Sequence, residues 1–173
     1  MYKSVGKLLR SLTSIFLSGA SRAVMLNAAP AASVPADLLG LLDYLVVNEH
    51  EACLVAGIND LAAASAKLAV LVPRLVVTLG SDGCVLYDGG SEFARIPARP
   101  VEVVDTTGAG DTFCGALAAA LAEGSAGSRS AVHAALGDFE RAAIFATAAA
   151  ALSVQKAGAV PSIPSRREID ATL

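Results

Sequence analysis

What is scarce in this 173-residue sequence narrows its function before any motif is read. Cysteine occurs three times, at Cys53, Cys84 and Cys114, and never as a CxxC pair. The odd count and wide spacing argue against a zinc site or a disulfide framework. They fit buried, reduced thiols in a cytosol-like compartment. A basic surplus is also missing. The net charge is −3 and the pI about 5.3, whereas a nucleic-acid surface is normally basic. The uncharged stretch 142–154 falls short of the roughly 20 apolar residues that span a bilayer and reads as a buried helix. Neither a nucleic acid nor a membrane is therefore expected as a partner. What is abundant is aliphatic: 54% of the chain is hydrophobic, against 17% charged and 5% aromatic. Such a chain is too apolar to be disordered, and its length fits one globular domain.

One further absence is local. Residues 1–36 contain no Asp or Glu, but do contain Lys3, Lys7, Arg10 and Arg22. Val5, Leu8, Leu9, Leu12, Ile15 and Phe16 recur at helical spacing, with the first three basic residues on the other face. A basic amphipathic helix over residues 1–24 is expected. It fits an organellar leader or an ordinary surface helix of an α/β domain. A strand-like run at 23–26 follows at once, and a helix feeding a strand suits a parallel crossover, which favours the surface helix.

From there strands and helices alternate. Pro35 and Asp37 open a short helix, and residues 44–47 form an apolar strand ending at Asn48. A helix over 49–56 closes at Gly57, and Asp60 caps another over 61–71. The β-branched run 75–78 is a strand, followed by the turn Gly80-Ser81-Asp82-Gly83. Residues 84–87 and 92–96 read as a hairpin around Asp88-Gly89-Gly90. A strand is expected at 101–104, then a Gly-rich turn and a helix from about 111 to 123. Residues 123–137 look like an inserted connection. An Ala-rich helix over 141–156 ends at Gly158, and Pro161 and Pro164 precede a short carboxyl-terminal helix. This order predicts an α/β fold with a mostly parallel sheet flanked by helices and one antiparallel hairpin.

The chemistry concentrates in Asp105-Thr106-Thr107-Gly108-Ala109-Gly110-Asp111, between the expected strand and helix. Glycines there allow a tight turn and a close approach to a ligand. The N–H groups of Ala109, Gly110 and Asp111 are expected to point out of the helix start, where the helix dipole adds to them and makes an anion hole. A transferring phosphoryl group carries dispersed negative charge and suits such a cradle. Asp111 lies at its mouth as a carboxylate able to take a proton from an attacking alcohol. Two other readings fail on spacing. A dinucleotide fingerprint needs a third Gly or Ala where Phe113 stands, and a Walker P-loop needs a GKS or GKT that is absent. A plain Gly-rich turn capped by an aspartate is the bland alternative.

The full string resembles the signature of the ribokinase-like (PfkB) carbohydrate kinases, and it continues as Thr112-Phe113-Cys114-Gly115-Ala116-Leu117. Four further segments agree in order. Leu26-Asn27-Ala28-Ala29-Pro30-Ala31 resembles the family's LNPAPA, and Val47-Asn48-Glu49-His50-Glu51-Ala52 its PNExEA. Thr78-Leu79-Gly80-Ser81-Asp82-Gly83 resembles its TLGxxG nucleotide loop, and Gly158-Ala159-Val160-Pro161-Ser162-Ile163-Pro164 its GAxPSxP ending. The resemblance implies a three-layer fold of that family in a single, partial domain over residues 1–173. It covers the carboxyl-terminal half and lacks the amino-terminal, sugar-recognising half and its lid.

By that resemblance Asp111 is the catalytic base, and Gly108, Ala109 and Gly110 form the anion hole. Thr78, Gly80, Ser81, Gly83, Gly110 and Thr147 line the nucleotide. Asn48 and Glu51 help organise Mg²⁺ through water, although on spacing alone Asn48 is a helix cap and Glu51 a solvated residue. Asp105, Thr107, Ser153, Lys156, Gly158 and Ser162 match a K⁺ site made mostly of carbonyls. The implied activity is ATP-dependent phosphorylation of a sugar hydroxyl, D-ribose at its 5-hydroxyl first, with fructose or a deoxyribose as alternatives. A noncatalytic nucleotide-binding module is the alternative from another class. The expected partners are ATP and a small sugar, with a homodimer possible for the full-length enzyme. The expected compartment is the cytoplasm, or an organelle if residues 1–24 are a leader.

Overall fold

A computed structural model describes residues 14–17, 23–29, 33–124 and 136–173. The chain divides into two compact units, the first built around residues 22–79 and 85–94, the second around 80–84 and 95–173.

The first unit follows the hydrophobic pattern. Its strands are β1 (Ser14–Leu17), β2 (Val24–Asn27), β3 (Tyr44–Asn48) and β4 (Arg74–Thr78). They open a six-stranded sheet completed by β5 (Cys84–Asp88) and β6 (Ser91–Ile96), in simple sequence order. β1 pairs antiparallel with β2, while β2–β3 and β3–β4 are parallel. Tyr44, Leu45, Val46 and Val47 are all buried, as are Arg74 to Val77. Unbroken burial of this kind marks parallel strands covered on both faces. Leu45, Val47, Leu75 and Val77 pack with Ala52, Ala56, Ala64 and Leu68 from α2 (Glu49–Ala56) and α3 (Leu61–Leu71). A short helix α1 (Ala36–Leu39) adds Leu38 and Leu39 to the same core.

α2 begins and ends where its capping residues dictate, and α3 begins at its own cap. Asn48 and Glu51 form a reciprocal capping box, Gly57 closes α2 at φ 67°, and Asp60 Oδ1 accepts from the Ala63 N–H at 2.8 Å. At the opposite ends of the strands Arg74 is buried. It donates to the Tyr44 hydroxyl at 2.6 Å and to Asp88 Oδ1 at 2.9 Å, so the charge enters the core with partners.

The second unit is mainly helical. α4 (Ala109–Gly124) and α5 (Leu136–Ser153) pack along each other, and the short helices α6 (Ala159–Ser162) and α7 (Arg166–Asp170) follow. Phe145, Ala148, Ala149 and Ile169 form a core against which Ala116, Ala120 and Leu152 pack. The small side chains let the helix axes approach closely. Ser165 and Glu168 cap α7 reciprocally.

Two expectations are corrected. Residues 14–17 form a strand, not the end of a basic helix: antiparallel pairing with β2 suits the β-favouring Ile15 and Phe16. The rest of the expected helix over 1–24, up to residue 22, lies outside the described residues, as does most of the connection 123–137. Residues 101–104 are not a strand. Val103 and Val104 are exposed, and the Val104 and Asp105 N–H groups both donate to the Val154 carbonyl. An apolar run becomes a strand only beside a partner strand, and this one lies against the end of α5. No described helix by itself is long and apolar enough to cross a membrane.

Candidate active site

The motif turn enters α4 under tight local control. Asp105 anchors it. Its Oδ1 accepts from the Thr107 N–H at 2.9 Å and its Oδ2 from the Gly158 N–H at 2.8 Å. The Thr107 hydroxyl, then the Gly158 and Thr107 N–H groups, hold its carboxyl down to about 2. Gly108 follows at φ 79°, and a Cβ there would stand 3.0 Å from Ala159 Cβ and 3.1 Å from its Cα. Glycine is thus required at 108 twice, by dihedral and by contact. The Thr112 N–H then bonds the Gly108 carbonyl at 2.8 Å and starts the helical ladder.

Of the three N–H groups expected in the anion hole, Ala109 is already committed. It donates to the Thr106 carbonyl at 3.2 Å. The turn closes on itself one residue earlier than the motif suggests, so the open donors at the start of α4 are Gly110 and Asp111, to which no described residue offers an acceptor. The Asp111 side chain is exposed on the same turn. Gly110 is exposed as well, and a Cβ on it would meet nothing within 4 Å. The fold does not require a glycine there.

The second unit also holds most of the loop matched to nucleotide binding, residues 80–83. Gly80 (φ 55°) opens a single 3-10 turn, closed by the Gly83 N–H on the Gly80 carbonyl at 3.2 Å. A Cβ on Gly83 would fall 2.0 Å from the Ile96 carbonyl oxygen, so only glycine lets the chain pass. Ser81 at the tip is exposed. Thr147 is buried on α5. Its hydroxyl donates to the Ala143 carbonyl at 2.8 Å and lies 3.8 Å from Cys84 Sγ. Burial pushes the Cys84 thiol up to about 11, which keeps it protonated and inert. Cys84 is a residue that the motifs alone do not flag. Its only sequence signal is its place directly after the Gly80–Gly83 turn.

Of the residues matched to a monovalent cation, two meet Asp105. Thr107 and Gly158 touch it directly. Ser153 and Ser162 are buried, with their hydroxyls donated to the Ala150 and Ala159 carbonyls at 2.8 Å each. The Lys156 ammonium pairs with Glu168 at 3.1 Å. These hydrogen bonds use the hydroxyl hydrogens of Ser153 and Ser162 and leave their oxygen lone pairs unused. Among the described residues no group of three His, Cys, Asp or Glu side chains could hold a metal ion.

In the first unit, Asn48 and Thr78 are cross-strand partners at the carboxyl ends of β3 and β4. Thr78 Oγ1 donates to the Val47 carbonyl at 3.4 Å. Asn48 Oδ1 accepts from the Glu51 N–H and Glu51 Oε2 from the Asn48 N–H, both at 2.8 Å. Glu51 is buried and Asn48 exposed.

Comparison with known proteins gives one consistent answer. The family model for pfkB family carbohydrate kinases matches residues 7–166. The ribokinase of Bacillus subtilis is 41% identical over 150 residues, covering 87% of this chain and 46% of that protein. The crystal structure of Thermotoga maritima ribokinase superposes with a TM-score of 0.74 at 36% identity, covering 87% of this chain and 48% of its own. Arabidopsis thaliana ribokinase complexed with ribose and ATP gives 0.73 at 35%, covering 87% and 47%. The fold is therefore ribokinase-like, and the chain spans about half the length of the curated relatives it matches.

Proposed function

The chain belongs to the pfkB family of carbohydrate kinases, and from that premise we propose that it provides the phosphate-handling half of a ribokinase-type enzyme, which transfers the γ-phosphoryl group of ATP to the 5-hydroxyl of D-ribose. One observation carries the reading. The start of the 16-residue helix α4 offers two uncommitted N–H groups, at Gly110 and Asp111, beside an exposed carboxylate. Nothing among the described residues demands a glycine at 110. A glycine that the fold does not require, at an open helix start, fits a bound anion that approaches the backbone.

The groups divide the work. The Gly110 and Asp111 N–H groups, with the helix dipole, stabilise charge building on the phosphoryl oxygens. The Asp111 carboxylate takes the proton from the sugar hydroxyl as that oxygen attacks phosphorus. Gly80, Ser81 and Gly83 shape the nucleotide loop, with Thr78 preceding it. Thr147, its hydroxyl committed within α5, steadies that loop through Cys84.

The donor set fits two cations in limited ways. Glu51 has one oxygen committed to capping, so Asn48 and Glu51 suit outer-shell contact with a hydrated Mg²⁺ better than direct ligation. Mg²⁺, when bound, neutralises phosphate charge. For K⁺ the ionised Asp105 supplies negative charge beside the carbonyls of its turn.

The test is ADP release with and without ribose, measured on this chain joined to the amino-terminal half of a matched ribokinase. Ribose-dependent turnover is expected. Asp111→Asn is expected to lower it by about 10²–10⁴-fold with ATP affinity nearly unchanged. Turnover that survives Asp111→Asn removes the general-base role. A screen with fructose and deoxyribose decides the sugar. The alternative reading is a nucleotide-binding module without turnover. ATP binding with no ADP release in the joined protein would establish it.

A further inference from the structure

Resting on the reading that a monovalent cation sits beside Asp105, we infer that the Lys156–Glu168 ion pair sets the affinity of the turn 155–158 for that cation: Glu168 cancels an ammonium that repels it. The turn is built to meet positive charge. It follows the carboxyl end of α5, an 18-residue helix with no basic residue in its last turn, so the negative end of the helix dipole stays open there. The carbonyls of Gln155, Lys156, Ala157 and Gly158 accept no hydrogen bond from any described residue. The Gly158 N–H donates to the Asp105 carboxylate at 2.8 Å, which brings a further negative charge to the same turn.

One group on the turn works against a cation. Lys156 carries its ammonium there. The four-carbon stem of lysine keeps that charge within roughly 10 Å of the Lys156 carbonyl oxygen, about one Debye length at 0.1 M salt. An unpaired ammonium at that range disfavours a second positive charge, and the effect fades as salt rises.

Glu168 answers that charge from the start of α7. The Lys156 ammonium donates to Glu168 Oε1 at 3.1 Å, while Glu168 Oε2 accepts from the Ser165 N–H and from the Ser165 hydroxyl, both at 2.7 Å. Both carboxylate oxygens are engaged, so Glu168 is a fixed counter-charge and does not follow the lysine. Each side chain of the pair is 50% exposed, and an exposed pair adds little to stability. Its weight lies instead in the charge that it presents to four open carbonyls.

Thermal unfolding of this chain tests the inference without ATP or turnover. KCl is titrated against tetramethylammonium chloride at a constant ionic strength of about 0.1 M, and K⁺ affinity is read from the rise in melting temperature. Glu168→Gln keeps the capping box of α7, since glutamine also completes it, and removes only the charge. It is expected to weaken K⁺ binding by about two- to fivefold. Lys156→Met keeps the backbone carbonyl and is expected to strengthen binding by a similar factor. The double variant should return close to the parent, and all differences should shrink at an ionic strength of about 1 M. A pair that merely braces the turn weakens binding whichever partner is lost, with no recovery in the double variant. That result, or equal K⁺ affinity in the parent and all three variants, overturns the inference and leaves the cation reading standing. A parent that K⁺ stabilises no more than tetramethylammonium does removes the cation reading itself, and the role of the pair with it.

Discussion

The two units of this chain are specified by different physics. In the first, apolar periodicity and local caps decide nearly everything: β3 and β4 are continuous buried runs, and Asn48, Gly57 and Asp60 fix both ends of α2 and the start of α3. In the second, the decisive segment, residues 105–111, has no periodicity. Its path is set by a carboxylate bonded to a residue 53 positions away and by a glycine held against Ala159. The first unit is organised for burial, the second for presenting unspent backbone donors. A substitution should therefore cost stability in one and ligand affinity in the other.

The largest effect on stability is expected at Leu68, fully buried on α3 within the first-unit core. Leu68→Ala removes buried methyl groups and leaves a cavity, at a cost of about 2–5 kcal/mol. Urea unfolding should show a lower midpoint with an unchanged slope. A loss below the range found for exposed sites would mean that this core relaxes around the gap, and the contrast between the units would weaken.

Gly108 tests whether the second unit also has a steric keystone. Gly108→Ala puts a Cβ at φ 79° and 3.0 Å from Ala159 Cβ. Strain of about 1–3 kcal/mol is expected. Ala159→Gly in the same chain should recover the part due to contact and leave the part due to dihedral, a coupling that a double-mutant cycle in thermal unfolding reads directly. Independent, additive effects would show that the close approach carries no energy.

Gly110 sharpens the comparison most, because stability and function should move in opposite directions. Its backbone is helical and its Cβ position is open. Gly110→Ala should leave stability unchanged or raise it by about 0.5–1 kcal/mol. ATP affinity should fall, because the added methyl stands where an anion approaches the N–H groups. Calorimetry with ATP and a melting curve on the same sample check both. A variant that is more stable and binds ATP as well as the parent would return this glycine to an incidental role.

How much was legible in the sequence divides along the same line. The boundaries of α2 and α3 could be read to the residue because their determinants, a cap and an apolar face, lie within four positions of the ends they fix. The candidate site residues could be named from the motif, yet their commitments could not. That Ala109 donates to Thr106, that Thr147 donates to Ala143 and meets Cys84, and that residues 101–104 find no partner strand all depend on where distant segments lie. The apolar run 101–104 shows the limit well: Val103 and Val104 carry strand-forming side chains, and both are exposed.

The smallest effect is a pH dependence that separates a long-range anchor from a local one. The Asp105 carboxyl is held at about 2 by Thr107 and Gly158, below an unfolded value of about 3.9. A depressed carboxylate stabilises the fold above its unfolded pKa, and the contribution is lost as pH falls through the folded value. The loss for Asp105 therefore falls between about pH 4 and pH 2. Glu168 lies at about 2 as well, held by the Ser165 N–H and hydroxyl and by Lys156, so it acts in the same window. The two differ in their partners. Glu168 is exposed and draws partly on an ammonium, which salt screens, whereas Asp105 draws on N–H and O–H donors alone. Asp105→Asn should be less stable than the parent at neutral pH, and the two stability curves should converge as pH approaches 2. Added salt should change that gap little, while it narrows the gap between the parent and Glu168→Gln. A gap for Asp105→Asn that stays constant from pH 7 to pH 2 would show that the anchor works through shape and not through charge.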